Sequence, residues 1–477
     1  MKKITAVLIS LTILFTANLS IFGTATTTTP PEHEELTYAN NTYYINDDGT
    51  ATITGIVSEG GISSMTVPGT IAGLAVTAIG DEAFYGLSSL ISLKLPLSLK
   101  SIGMGAFAGC YQLKILNLPD GLETIGDGAF ASCQGLTEIT LPDSVTDVGA
   151  YAFTACTGVT NVTLSKGMTV ILDNCFDGLL SLKSIEIPSN IVYISHGAFG
   201  NTGLETFTIP KTINSIGSYV FRNCDSLTEI NAEEGNGAAK SVDGILYSLD
   251  DKTLVQYPMG RADTSFTFPD TIEAVGNSAF YGADNITSVT FPENITTLGD
   301  AAFMYCMNLT EINFSPAITT IPTGCFSYCT SLSVLDIPDT ISQIDDYAFF
   351  YCEKLKSVSV PPSVGHIGEY AIGFYDKVDD STGESNFTLL DGVNIFAQAD
   401  TAGEQYAKDN NIMLNYEKAG ISSTDIILLV LGILLIVIAV LLAVYILRKA
   451  FKAKKDNEIV EQAPSVLEIN GDTDADA

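Results

Sequence analysis

Leu136-Thr137-Glu138-Ile139-Thr140-Leu141-Pro142-Asp143-Ser144-Val145-Thr146-Asp147-Val148-Gly149-Ala150-Tyr151-Ala152-Phe153-Thr154-Ala155-Cys156 decides the fold. Its phenylalanine recurs at 84, 107, 130, 153, 176, 199, 221, 280, 303, 326 and 349. The steps are 23 residues, apart from one of 22 and one of 59. Self-similarity at such a period is the signature of a one-dimensional coil. The alternation of Ile139 and Leu141 predicts a short strand with one buried face. Pro142 cannot donate to a ladder, so the strand stops there. Val145 to Gly149 reads as a second extended piece. Ala150 to Cys156 reads as a tight helical or 3₁₀ turn. Leu136, Ile139, Leu141, Val145, Val148, Ala152, Phe153 and Cys156 are assigned to the core.

One unit cannot fold alone. About six large apolar side chains contribute ~1.5–3 kcal/mol each when fully buried. Ordering each backbone residue costs ~1–2 kcal/mol. Stacked neighbours, ~4.8 Å apart, complete the burial and pair the strands. The expected fold is a β-rich repeat solenoid with short parallel strands, of about 11–12 repeats of 23 residues.

The unit Leu-x-x-Ile-x-Leu-Pro…Val-x-x-Ile-Gly-x-x-Ala-Phe-x-x-Cys resembles the BspA-like leucine-rich repeat family of surface proteins. The resemblance covers roughly residues 36–416. It implies a leucine-rich-repeat fold and a surface-exposed binding protein, in some members an adhesin.

The flanks of the repeat set the organisation. Residues 36–83 read as an N-terminal cap with an Asp48-Gly49 hairpin turn. Residues 84–416 read as the solenoid, with a hairpin insertion at 233–265 and a closing helix near 402–411. The insertion lies in the 59-residue step, and it is either an elaborated turn or a boundary between two domains. Residues 1–25 have the basic start, apolar run and small-residue end of a secretory signal. A Thr/Pro linker, 26–35, follows it. After a juxtamembrane linker, 417–425, residues 426–447 carry no charge and suffice for one transmembrane helix. Arg448, Lys449, Lys452, Lys454 and Lys455 follow and mark the tail, 448–477, as cytoplasmic. The expected topology is a single-pass plasma-membrane protein with its N-terminal ectodomain outside.

The formal net charge is −33. A field of that sign repels phosphate backbones, which argues against nucleic acid as a partner. All nine cysteines fall at repeat positions, so a core role accounts for them. His33, His196 and His366 form no metal-ligand spacing and no nucleophile–base pair. Gly103, Gly105, Gly126 and Gly128 recur with the repeat and are turn glycines rather than a dinucleotide fingerprint. No catalytic, cofactor-binding or metal residues are assigned, and an enzyme is not expected.

The outward strand positions are mostly Ser, Thr or Asn, with Glu138, Glu186, Glu229 and Glu311 among the acids and no aromatics. Aromatics appear instead two residues after the repeat Phe, as Tyr305, Tyr328 and Tyr351. Earlier turns hold Gly, Ser, Ala or Asn there. The three tyrosines are the candidate contact stripe, and the competing reading is that they merely pack on one another. The expected function is a binding module for a protein or an envelope polymer, with adhesion as one form. The alternative is a structural envelope protein without a dedicated ligand.

Overall fold

The computed structural model describes residues 34–57, 61–378 and 385–416, together with Leu447 and Lys449. The signal sequence and the transmembrane segment expected at 426–447 lie outside the described residues, Leu447 excepted. Among the described residues no helix is long and apolar enough to cross a membrane. The described residues from 34 to 415 group as one compact unit; of the other, 416–477, only Tyr416, Leu447 and Lys449 are described.

Each repeat adds one rung to two parallel ladders. Glu138–Thr140 pairs with Asn161–Thr163, placing Ile139 beside Val162. Thr124–Ile125 pairs with Asp147–Val148, placing Ile125 beside Val148. The pairing register equals the sequence period, so side chains from equivalent repeat places stack on the buried face. Phe107, Phe130 and Phe153 follow at ring-centroid distances of 5.3 and 5.5 Å, each pair 5° from parallel. These offset stacks lie within the favourable range for aromatic pairs. Gly149 belongs to this close approach: a Cβ there would come within 2.4 Å of the Asp127 amide nitrogen. The Asp127 carboxylate in turn accepts the Ala150 N–H at 2.8 Å. Part of the chain's acidity therefore serves to cap backbone amides across turns.

The phenylalanine segment differs from the helical or 3₁₀ turn expected. Bonds to the residue three back do occur, as in Thr154 N–H to Tyr151 O and Cys156 N–H to Phe153 O. They are separated by left-handed residues, Tyr151 at φ 58° and Ala155 at φ 57°. This alternation frees every second N–H to reach the next turn. Tyr151, Phe153 and Ala155 donate to Asp173, Cys175 and Asp177 at 2.9, 3.0 and 2.7 Å. A continuous 3₁₀ helix would spend those donors on itself and leave this edge of the coil unpaired.

The coil has about 15 turns, more than the phenylalanine count implies. The 59-residue step contains an entire extra turn. Tyr257 stands 23 residues before Phe280 and stacks on it at 4.7 Å, taking the phenylalanine's place. Thr253–Gln256 pairs in parallel with Ala274–Val275, and Ser265–Phe266 with Ser288–Thr290. Lys240–Val242, Ile245–Tyr247 and Thr253–Gln256 form an antiparallel hairpin whose last strand is also a solenoid rung. The buried apolar residues form two stacks that meet here, one from Tyr43 to Met259 and one from Ile245 to Ile412.

Both ends are closed. Leu36–Tyr38, Asn41–Ile45 and Ala51–Ile56 form an antiparallel sheet that joins Leu74–Ile79 in parallel. At the other end Thr401 caps the helix Ala402–Asp409, and Glu404 reaches back to the Asp400 N–H at 2.7 Å. Ile372 follows Phe349 in register. Its N–H donates to the Tyr406 hydroxyl at 3.0 Å, and that hydroxyl donates to its carbonyl at 3.1 Å. One side chain thereby satisfies a rung that has no next turn.

All nine cysteines are buried free thiols. Cys156 Sγ lies 3.2 Å from the Phe130 carbonyl, and Cys306 Sγ 3.2 Å from that of Phe280. The thiol is small enough for the core and offers a weak donor to an otherwise turn-bound carbonyl. Burial pushes the thiols of Cys110, Cys156, Cys224 and Cys352 up to about 12. Thiolate is thus scarce at neutral pH. Alkylation of the native chain in mildly alkaline buffer should label none of the nine, and denaturation should expose all of them to the reagent. Mass spectrometry of the non-reduced protein checks this; intact disulfides would refute it.

Candidate functional site

Two residues per turn take the left-handed conformation, at the places two before and two after the repeat Phe. After the Phe they are Gly86, Gly109, Ser132, Ala155, Gly178, Asn201, Asn223 and Gly282, then Tyr305, Tyr328 and Tyr351 at φ 63°, 60° and 56°. Glycine and asparagine suit this conformation, whereas a bulky side chain in it costs about 1–2 kcal/mol. The small-residue composition of the early turns was the sequence signal for this backbone requirement. The three tyrosines stand where the backbone least favours them.

The structure brings these tyrosines together. Tyr305 and Tyr328 stack at 4.3 Å, Tyr328 and Tyr351 at 4.8 Å. All three are half-buried, and Tyr328 and Tyr351 pack on the second core stack. The row continues to Tyr281, Tyr219 and His196 on one side, and to Tyr375 on the other. The sequence reading missed this extension, because its members occupy different register places. Tyr347 and Tyr370 hold the other left-handed place, at φ 58° and 51°. The antiparallel hairpin strands Phe374–Val378 and Ser385–Leu389 bring Phe387 onto them. Phe387 lies 4.3 Å from Tyr370 and 5.7 Å from Phe350, yet is 47% exposed. Burial, with Asp376 on the same hairpin, pushes the phenols of Tyr328 and Tyr351 up; burial does so for Tyr305 as well. The hydroxyls therefore stay protonated and able to donate.

A shallow groove of about 510 Å³ crosses the first turns, over Gly80, Gly103 and Gly126. Its carboxylates already hold backbone amides: Asp81 accepts from Met104 at 2.8 Å and Asp127 from Ala150. Among the described residues no His, Cys, Asp and Glu cluster could hold a metal ion. His366 lies on a ladder rung beside Gln343, far in register from His196, and His33 falls outside the described residues.

The family described as BspA type leucine-rich repeat region matches residues 77–202, 148–241 and 261–377. The chain belongs to this BspA-type family. A leucine-rich cell surface protein from Faecalibacterium prausnitzii is 29% identical, with a TM-score of 0.64. The similarity covers 78% of this chain and 97% of that one. The pneumococcal vaccine antigen PcpA shares the fold at 23% identity and a TM-score of 0.54, covering 81% of this chain and 99% of that one. No curated protein matches the chain. No catalytic family is indicated.

On this BspA-type frame the turns before the tyrosines carry a polar version of the same edge. Arg222 Nη2 lies 3.1 Å from Asp177 Oδ2 and donates to Asn174 Oδ1 at 3.0 Å. Asn201 donates to Asp177 Oδ1 at 2.8 Å, and Asn223 to Asn201 Oδ1 at 2.9 Å. Asp177 is buried, and that burial raises its carboxyl pKa despite the arginine. The strand face is different in kind. Glu138, Glu229 and Glu311 are exposed there among Thr and Asn, without a ring.

Proposed function

We propose that this protein is a surface-anchored binding module whose aromatic edge contacts a protein or an envelope polymer, with adhesion as one form. The observation that carries the reading is the run of Tyr305, Tyr328 and Tyr351 in left-handed backbone that Gly, Ser, Ala or Asn fills in the other turns. Strained backbone is retained where something else over-determines it. Tyrosine supplies contact area at low entropic cost and is enriched where interfaces concentrate their energy. The exposed ring of Phe387 widens the same edge. The charge-free segment 426–447 and the cations after it support a single-pass anchor with the solenoid outside and the tail cytoplasmic. The resemblance to a cell surface protein supports the same placement. No enzyme activity or cofactor is proposed.

A structural role without a ligand is the second reading, favoured by the mutual stacking of the rings. The full chain, immobilised and exposed to envelope and secreted-protein fractions, separates the two. Tyr305→Asn, Tyr328→Asn and Tyr351→Asn together should abolish retention of the captured partner. Asparagine already serves this backbone position at 201 and 223. The triple variant should lose about 2–3 kcal/mol, because lost burial and stacking outweigh the relieved strain. The corresponding triple Tyr→Phe variant keeps the stack and isolates the hydroxyls. Undiminished retention by a folded triple asparagine variant would reject the edge as the contact site.

A further inference from the structure

The first two turns differ from the rest of this acidic molecule. Between Ala83 and Pro119 there is no carboxylate, in a chain of net charge −33, while Lys94, Lys100 and Lys114 fall inside that stretch. The same stretch exposes large apolar side chains: Leu97 is 87% and Ile115 63% exposed. Ile91 and Tyr111 are exposed as well. These residues gather on the outer side of one ladder. Ser92 pairs with Ile115, and the Lys114 N–H donates to the Ile91 carbonyl at 3.1 Å. Ile91 therefore neighbours Lys114 on the next turn, with Ile115 diagonal to it. Lys94 lies two residues beyond Ser92 on the same outward face and ends the strand, and Leu97 follows in the turn after Pro96. Tyr111 stands at the corner leading into Lys114. Lys100 is held by Glu123 at 2.7 Å, whereas Lys94 and Lys114 have no ion pair among the described residues.

We propose that this corner docks on an anionic lipid bilayer, with Leu97 and Ile115 entering the interface and Lys94 and Lys114 meeting the head groups. The reading is independent of the tyrosine edge, which lies on later turns. The chemistry selects lipid over a protein partner. Protein interfaces are depleted of lysine and take their energy from Tyr, Trp and Arg in closed pockets. Projecting aliphatic side chains flanked by lysines and a tyrosine are the composition of an interfacial anchor. Lysine is attracted to an anionic leaflet over about a Debye length, ~8 Å at physiological salt, so distant carboxylates of the body are screened. Asp120, one turn on from Leu97, and the exposed Glu138, one turn on from Ile115, are the register neighbours that bound the patch.

The test uses the full chain in phosphatidylcholine nanodiscs, floated with vesicles of phosphatidylglycerol or of phosphatidylcholine. The chain should float with the anionic vesicles only, and less so at high salt. Leu97→Ser with Ile115→Ser should reduce flotation about tenfold or more. Lys94→Gln with Lys114→Gln should do the same. Both pairs are exposed, so melting temperatures should match the parent. Equal flotation with both lipids, or none with either, overturns the proposal. Loss confined to one pair also overturns it, because charge attraction or apolar adsorption alone would then account for binding. Self-association without vesicles that Leu97→Ser with Ile115→Ser removes would assign the patch to a second copy instead.

Discussion

Phe153→Ala should lower the stability of the solenoid by about 3–5 kcal/mol. The ring is fully buried and lies between those of Phe130 and Phe176, at 5.5 and 5.9 Å. Its removal deletes two stacking contacts and opens a void that the turn cannot close. Both ladders and the hydrogen-bonded phenylalanine edge hold the backbone in place. In a linear array the core of each turn packs on its neighbours, so the damage should stay local. Hydrogen exchange should accelerate in the turns carrying Phe130, Phe153 and Phe176 and remain slow near Phe326. Acceleration spread evenly over every turn would contradict the nearest-neighbour picture.

Arg222→Ala should cost about 3 kcal/mol at neutral pH, because it strands the buried Asp177 carboxylate. The loss should depend on pH with a definite sign. Burial raises the Asp177 pKa above the ordinary carboxylate value even with the arginine present. Removing the arginine raises it further. A carboxyl with a raised folded-state pKa takes up a proton more readily when folded. Its favourable contribution is complete below the unfolded value, ~3.9, and is lost as pH rises through the folded value. The variant's deficit should therefore be largest above that raised pKa and shrink on acidification, as the stranded group is neutralised. Denaturant melts of parent and variant at neutral and at mildly acidic pH measure this. An equal deficit at both would place the effect in lost arginine packing rather than in the stranded charge.

The coil was legible because one period governs both the chain and the contacts. The 23-residue step of Phe84 to Phe199 is also the strand register, so Ile139 meets Val162 without further information. The cysteines were legible for the same reason, each falling at a core place. The turn at Tyr257 was missed because tyrosine replaced the marker residue while the rest of the pattern persisted. The candidate site was legible only in part. Tyr305, Tyr328 and Tyr351 share a register place and so could be found together. Phe387, Tyr347 and Tyr370 come from other places and another hairpin, and only folding brings them to the same edge.

By itself the sequence determined the solenoid, its period, its buried phenylalanine row and the family resemblance. Those depend on residue type at fixed spacing, which a linear pattern records in full. The tertiary structure alone decided the left-handed backbone under the tyrosines, the Arg222–Asp177 pair buried across turns, and the gathering of Ile91, Lys114 and Ile115 at one corner. Those depend on dihedral signs and on contacts between turns, where the character of a surface arises from neighbours far apart in the chain.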